Sequence, residues 1–172
     1  IPTFGGRYGL SGKNTTPNDI YNVYKMLENN PKNNFTIGIK DDLNNTEIEQ
    51  HNYKLDLNCE EIKIYGYGSD GSVGASKDLL KIIGEDKFIQ GYFEYDSKKS
   101  GSLTRSHVRV SDKPIKSTYL VEHPDIITIN NFSFVHRYNC LEGLKKNGKV
   151  LINSVFSAEE VDRVLPDVYK KV

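Results

Sequence analysis

Residues 64–75 read IYGYGSDGSVGA, a run of strand-forming residues followed by a glycine-rich turn and the start of a helix. Gly66, Gly68 and Gly71 have the spacing GxGxxG, which lets the backbone turn tightly and approach a phosphate. A helix that starts here offers unpaired N–H groups and the positive end of its dipole to an anion. The same spacing also serves a tight strand-to-helix turn that binds nothing. The segment therefore predicts a strand-turn-helix unit and, as a hypothesis, a phosphate site.

The residues that follow this turn extend the same pattern. A helix over SVGASKDLLKIIGED closes at Gly84, and FIQGYFEYD at 88–96 is a second strand. With the strand that begins at Glu61, these elements form a predicted βαβ unit of about 35 residues.

Further strands and one helix are predicted beyond the polar turn KKSGS. The strands are LTRSHVRV at 103–110, STYLVEH at 117–123 and DIITI at 125–129. Ser157 and Glu160 have the spacing of a capping box for a C-terminal helix. The expected fold is α/β, with a mostly parallel sheet, helices on both faces and an antiparallel excursion over the first two of these strands.

The N-terminal residues predict a loop, a helix and a connection. Thr16 and Pro17 suit the start of a helix that ends near Asn30. FTIGI at 35–39 is a short strand, and the polar residues 40–58 are a predicted surface connection. The predicted domains are residues 1–57, with this loop, helix and connection, and residues 58–172, with the α/β fold.

Composition excludes several classes of protein. The 172 residues carry 23 basic and 23 acidic side chains, so the net charge of zero gives no reason to expect nucleic acid or an anionic membrane as a partner. The sequence contains no run of 18 apolar residues and its N-terminus lacks the order of a secretory signal, so we expect a soluble, cytoplasmic protein. Cys59 and Cys140 lie outside any CxxC pattern and the four histidines have no ligand spacing, so no metal site is expected in this chain.

A second segment with anion-binding chemistry follows the strand at 88–96. A dinucleotide site needs an acid for the ribose hydroxyls about 20 residues on, and here Glu94 and Asp96 lie a little later, 23 and 25 residues beyond Gly71. Lys98 and Lys99 come next, and two ammonium groups there suit a phosphorylated ribose. A solvated Lys-Lys turn without a ligand is the alternative.

Several segments together resemble a known enzyme family. They are GGRYGLSGK (5–13), PKNNFTIGIKDD (31–42), YGYGSDGSVGASKDLLKIIGED (65–86), QGYFEYDSKKSGSLTRSHVRV (90–110) and PIKSTYL (114–120). In this order they resemble pyruvate:ferredoxin (flavodoxin) oxidoreductase. The similar part is the central region of that long chain, equivalent to the gamma subunit of 2-oxoacid:ferredoxin oxidoreductases.

This resemblance implies a Rossmann-like, three-layer gamma-type domain whose last strand lies beyond Val172. It implies a piece of an enzyme that converts pyruvate and coenzyme A to acetyl-CoA and CO2, with electrons passed to ferredoxin or flavodoxin. Thiamine diphosphate, Mg and [4Fe-4S] clusters belong to other domains, which are the expected partners, and this piece alone is expected to be inactive, with no catalytic residue. The resemblance assigns coenzyme A contacts to Ser69, Asp70, Gly71, Lys98, Lys99, Ser100 and Thr104.

Asp70 is the unusual member of this set, because a carboxylate repels phosphates. We expect it to face donors on the ribose or adenine, or to cap the helix. Two other functions remain open on the residues alone. One is a self-contained NAD(P)-dependent dehydrogenase that uses Gly66, Gly68, Gly71 and Asp96. The other is an assembly module whose glycine turn binds nothing.

Overall fold

The computed structural model describes residues 1–9, 15–39, 43–53, 57–95 and 101–172. Contacts within the chain divide it into two compact units. The first unit comprises Ile1–Leu57 with Ser117–Leu120, and the second comprises Asn58–Lys116 with Val121–Val172. None of the helices in the described ranges combines the length and the apolar content that a membrane span needs.

Helix α1 (Pro17–Asn29) is the main element of the first unit. The hydroxyl of Thr16 accepts a hydrogen bond from the N–H of Asp19, and the carboxylate of Asp19 accepts one from the N–H of Thr16. This reciprocal pair is a capping box. The helix start that Thr16 and Pro17 predicted is therefore confirmed.

Two short strands of the first unit, β1 (Gly6–Arg7) and β2 (Phe35–Thr36), pair in parallel. The predicted strand at 35–39 is thus shorter than expected. Gly38 has a φ of 69°, a left-handed conformation that no strand residue adopts, so the extended backbone ends before it.

The predicted surface connection at 40–58 contributes to the core of the first unit. Ile48 is 4% exposed and packs with Phe35 and Ile37. Residues 40–42 and 54–56 of the connection lie outside the described residues. Most of the other described residues of the connection are exposed, as predicted, and one apolar side chain anchors it.

The second unit contains an open five-stranded sheet in the order β4-β5-β3-β6-β7. The strands are β3 (Glu60–Tyr67), β4 (Phe88–Tyr95), β5 (Leu103–Ser111), β6 (Ile126–Ile129) and β7 (Lys149–Ile152). β3, β6 and β7 are parallel neighbours, whereas β5 is antiparallel to both β3 and β4. The expected α/β class is confirmed, and of the two strands expected in the antiparallel excursion the first, β5, is present.

Three α-helices and one 3-10 helix accompany this sheet. They are α2 (Ser72–Ile83), α3 (Phe134–Arg137), α4 (Ala158–Val164) and the 3-10 helix Tyr169–Lys171. Gly84 is the C-cap of α2, and Ser157 forms a capping box with Glu160 at the start of α4, as the sequence predicted.

The predicted βαβ unit needs a correction, because β3 and β4 run in the same direction but are not neighbours. β4 and β5 form an antiparallel hairpin, and β5 occupies the place beside β3. β4 is therefore two strand spacings, roughly 10 Å, from β3. The carboxyl end of β4 is correspondingly far from the glycine turn.

The strand predicted at 117–123 is also wrong, since this segment forms no strand. The N–H of Val121 donates to Nδ1 of His107 at 3.1 Å instead of to a neighbouring strand. Ser117–Leu120 also groups with the first unit rather than with the sheet.

Helical segments cover both faces of the sheet. Ile64 packs with Leu80 of α2 on one face, and the next residue, Tyr65, packs with Phe134 of α3 and Tyr169 of the 3-10 helix on the other. Successive strand residues point to opposite faces, so the alternation along β3 separates the two cores. The three-layer expectation is confirmed.

A buried ionic network lies on the Tyr65 side of the sheet. Nε of Arg109 donates to Oε1 of Glu61 at 2.8 Å, and Nη1 of Arg109 donates to Oε1 of Gln90 at 3.0 Å. Lys145 lies 3.6 Å from the second oxygen of Glu61 and 2.8 Å from Asp125. Only 3% of the Arg109 side chain is exposed, so its charge depends on this network.

Candidate functional site

The glycine-rich turn lies at the carboxyl end of β3, directly before α2. Ser69 and Gly71 have left-handed backbones, with φ angles of 73° and 87°. Gly71 adopts this conformation without a steric penalty, whereas Ser69 does so at a cost of about 1–2 kcal/mol. Both residues are exposed. The turn therefore exposes its backbone at the start of a 12-residue helix, where the N–H groups of Val73 and Gly74 have no partner within the helix.

The carboxylate of Asp70 joins the two ends of this turn by hydrogen bonds. Its Oδ2 accepts a hydrogen bond from the N–H of Tyr67, and its Oδ1 accepts one from the N–H of Ser72, each at 2.7 Å. Burial by itself raises the pKa of the carboxyl, but the hydrogen bonds from Ser72 and Tyr67 outweigh it and hold the pKa below its ordinary value. Of the two roles expected for Asp70, the structure has the capping role.

Replacing Asp70 with alanine is expected to lower the free energy of unfolding by about 1–3 kcal/mol, because two backbone donors lose a charged acceptor. Since the folded-state pKa is lowered, this contribution is present above the ordinary carboxyl pKa and is lost as the pH falls through the folded-state value. Urea titrations of wild type and D70A at pH 7 and pH 3 measure it. A difference between the two proteins that does not shrink at pH 3 would contradict the capping role.

The loop between β4 and β5 is fixed against the glycine turn at its described end. The N–H of Gly68 donates to the carbonyl of Ser102 at 2.7 Å, and the N–H of Gly101 donates to the carbonyl of Gly68 at 3.3 Å. Tyr67 pairs with Leu103 in the sheet. Gly101 and Ser102, which follow the predicted lysine segment, therefore lie at the glycine turn, whereas the lysines themselves fall outside the described residues.

The remaining members of the predicted site differ in how far the structure describes them. Lys98, Lys99 and Ser100, together with Asp96, lie outside the described residues. Thr104 pairs with Gly66 in the sheet and is only 3% exposed, so its side chain is not open to a ligand that arrives from solvent.

The carboxyl ends of β3 and β6 lie side by side next to the turn. The two strands are parallel neighbours, but α2 follows β3 on one face of the sheet and α3 follows β6 on the other. Where successive connections leave toward opposite faces, open α/β sheets form a crevice at the carboxyl ends of the strands, and ligands bind there. This switch point lies between β3 and β6.

A cluster of side chains from β3 and α3 lies at this switch point. Oη of Tyr67 accepts a hydrogen bond from Nη1 of Arg137 at 3.0 Å and lies 3.3 Å from Oγ of Ser133. The Tyr67 ring packs edge-on against Phe134, with centroids 4.5 Å apart. Arg137 and Tyr67 are 70 residues apart. Only the pairing of β3 with β6 brings them together, so no sequence spacing could have predicted the cluster.

In the described part of the chain, no group of three or more His, Cys, Asp or Glu side chains is arranged to hold a metal ion. Cys140 is buried in the core beside Phe134, and burial raises the pKa of its thiol. Neither this cysteine nor Cys59 is placed as a cluster ligand.

Comparison with protein families decides the classification. Residues 61–171 match the sequence model described as pyruvate ferredoxin/flavodoxin oxidoreductase. The chain belongs to this family. The resemblance seen in the sequence is thereby confirmed, and the matched residues of the oxidoreductase family run from β3 to the C-terminal 3-10 helix.

Curated members of the oxidoreductase family are similar over nearly the whole chain. Pyruvate:ferredoxin oxidoreductase from Moorella thermoacetica is 48% identical over 99% of the chain, and pyruvate-flavodoxin oxidoreductase from Klebsiella pneumoniae is 43% identical over 97%. Pyruvate dehydrogenase [NADP(+)] from Cryptosporidium parvum is 42% identical over 99%. The chain spans about 15% of the length of the first two and 9% of the third.

A solved structure agrees with the fold. Pyruvate oxidoreductase subunit PORC from Thermotoga maritima superposes with a TM-score of 0.51 and 26% identity, covering 62% of this chain and 56% of that one. This match supports the assignment of the α/β unit to the gamma-type part of the oxidoreductase family.

The self-contained dehydrogenase alternative is not favoured by this geometry. In a dinucleotide site, the acid that binds the ribose ends the strand next to the glycine turn. Here β5 lies between β3 and β4, the strand that precedes Asp96. Because β5 separates β4 from β3, β4 is not the neighbour of the strand that carries the glycine turn, as a dinucleotide site requires.

Proposed function

We propose that the second unit is the coenzyme A-contacting domain of a thiamine diphosphate-dependent pyruvate:ferredoxin or pyruvate:flavodoxin oxidoreductase. The whole enzyme would convert pyruvate and coenzyme A to acetyl-CoA and CO2 and pass electrons to ferredoxin or flavodoxin. The observation that carries the coenzyme A assignment is the pair of hydrogen bonds that Gly68 forms with Gly101 and Ser102, which hold the described end of the β4-β5 loop at the glycine turn.

The chemistry of the two segments suits coenzyme A. The ligand carries a diphosphate and a 3′-phosphate, and the exposed Gly71 lies at a helix start, where backbone N–H groups of the first turn suit an anion. Lys98, Lys99 and Ser100 would supply two cations and a hydroxyl from the neighbouring loop. In this proposal Asp70 and Thr104 support the turn rather than contact phosphate.

Thiamine diphosphate would supply the carbanion chemistry, and iron-sulfur clusters would accept the electrons. We assign these groups and Mg to other domains of the same enzyme, because the described residues hold no cysteine cluster or metal-ligand set. Those domains are the proposed partners of this unit. The unit by itself would bind and orient coenzyme A without turnover.

Calorimetric titration of the full-length polypeptide that carries these residues tests the assignment. Coenzyme A is expected to bind, and Lys98→Ala with Lys99→Ala is expected to raise its Kd about ten- to a hundredfold, because charge-assisted contacts to phosphate are lost. Lys170→Ala with Lys171→Ala is a matched control, since it removes two adjacent lysines from the 3-10 helix.

Each other outcome supports a different function. If the calorimeter detects binding of NADH or NADPH but not of coenzyme A, the result would favour a dinucleotide-binding function. No heat with any of the three ligands would favour an assembly module. An equal loss of coenzyme A affinity in the two double variants would show that Lys98 and Lys99 are not part of the site.

A further inference from the structure

Arg137 is an exposed cation on the β6 side of the switch point. Its Nη1 donates to Oη of Tyr67 at 3.0 Å, and its guanidinium lies 5.6 Å from the centroid of the Tyr138 ring. A guanidinium has five N–H donors, and among the described residues Tyr67 is its only hydrogen-bond partner. Most of its donors therefore remain available, although two aromatic side chains restrain the group.

The position of this cation relates it to the glycine turn. Tyr67 is the last residue of β3 and directly precedes Gly68. Its hydroxyl therefore holds Arg137 beside the end of β3, on the side of the turn opposite to β5. The loop that carries Lys98 and Lys99 joins β5 on the other side. A ligand that lies across the turn toward β6 would meet the guanidinium of Arg137.

We propose that Arg137 binds a phosphate of the ligand at this switch point, as a second cationic contact separate from the β4-β5 loop. This inference rests on the proposed coenzyme A function. A planar guanidinium suits two parallel hydrogen bonds to phosphate oxygens. Holding the side chain in place before binding lowers the ordering cost that an exposed arginine otherwise adds to association. The chemistry required of the ligand is a diphosphate or a phosphomonoester.

Titrations of the full-length protein with coenzyme A and with 3′-dephospho-coenzyme A test this contact. R137Q is expected to raise the Kd for coenzyme A about ten- to a hundredfold, and R137K to recover part of the loss. A similar rise in Kd for both ligands would show that Arg137 contacts the diphosphate. A rise in Kd for coenzyme A alone would show that Arg137 contacts the 3′-phosphate.

Two variants separate binding from a structural role. Y67F removes the hydroxyl that holds Arg137 and is expected to raise the Kd only about threefold, since the cation remains. Arg163 is an exposed arginine in the last turn of α4, and R163Q is expected to leave the Kd unchanged. The salt dependence of log Kd should become less steep in R137Q and should not change in Y67F.

Three results would overturn the inference. If R137Q binds both ligands as the wild type does, Arg137 does not contact the ligand and the proposed function stands. If Y67F loses as much affinity as R137Q, the arginine acts by holding Tyr67 rather than by binding phosphate. If the wild type binds no coenzyme A while it remains folded by circular dichroism, the proposed function and this contact both fail.

Discussion

Replacing Glu61 with alanine is expected to lower the free energy of unfolding by about 3–5 kcal/mol, because it leaves a buried guanidinium without its carboxylate. The Arg109 side chain is 3% exposed and lies 2.8 Å from Glu61. The neutral amide oxygen of Gln90, at 3.0 Å, cannot compensate a full charge. Lys145 keeps its ion pair with Asp125, so the loss centres on Arg109. Urea titration of the two proteins measures it.

Two further variants make this prediction specific. D112A removes the partner of Lys87 in an exposed pair and is expected to change the free energy of unfolding by less than about 1 kcal/mol. A double variant, Glu61→Leu with Arg109→Leu, removes both charges and is expected to recover most of the loss. If E61A were no more destabilising than D112A, the network would be solvated rather than buried.

Replacing Gly66 with alanine is expected to lower the free energy of unfolding by about 3 kcal/mol and to weaken coenzyme A binding at the same time. A Cβ at this position would overlap Oγ of Ser72 and would lie 2.7 Å from its Cβ. Ser72 begins α2 and is buried against β3, so the helix start must move to make room. Because the turn that follows Gly66 is the proposed phosphate site, the same movement displaces its N–H groups.

The same helix provides the controls for this prediction. Gly74 has no neighbouring atoms where a Cβ would lie, and G74A is expected to stabilise the protein by up to about 1 kcal/mol. A double variant, Gly66→Ala with Ser72→Gly, removes the overlapping atoms and is expected to recover stability. Failure of this double variant to recover any stability would show that the overlap with Ser72 is not the cause.

Local sequence signals predicted the ends of the elements well. The capping boxes at Thr16 and Ser157 and the helix end at Gly84 are all present, because each depends on contacts within a few residues. The predicted strand at 117–123 is wrong, because a strand needs a neighbouring strand to pair with. A β-forming composition does not provide that neighbour.

The site was predictable in its chemistry but not in its arrangement. The glycine spacing and the lysine pair indicated anion binding from residue types alone. The order of the strands was not encoded in any local pattern, so the sequence suggested a dinucleotide acid after β4, whereas β5 lies between β4 and the strand that carries the turn. Arg137 gave no signal, because its relation to Tyr67 depends on the pairing of β3 with β6.

The sequence by itself determined the α/β class, the strand-turn-helix at residues 64–75 and the family resemblance, since these follow from short-range periodicity and collinear motifs. Only the tertiary structure decided that the β4-β5 hairpin lies beside β3, that Glu61 and Arg109 form a buried pair, and that the switch point lies between β3 and β6. Hydrogen bonds between strands distant in sequence set these features. Which strands pair is decided by the burial of both faces of the sheet together.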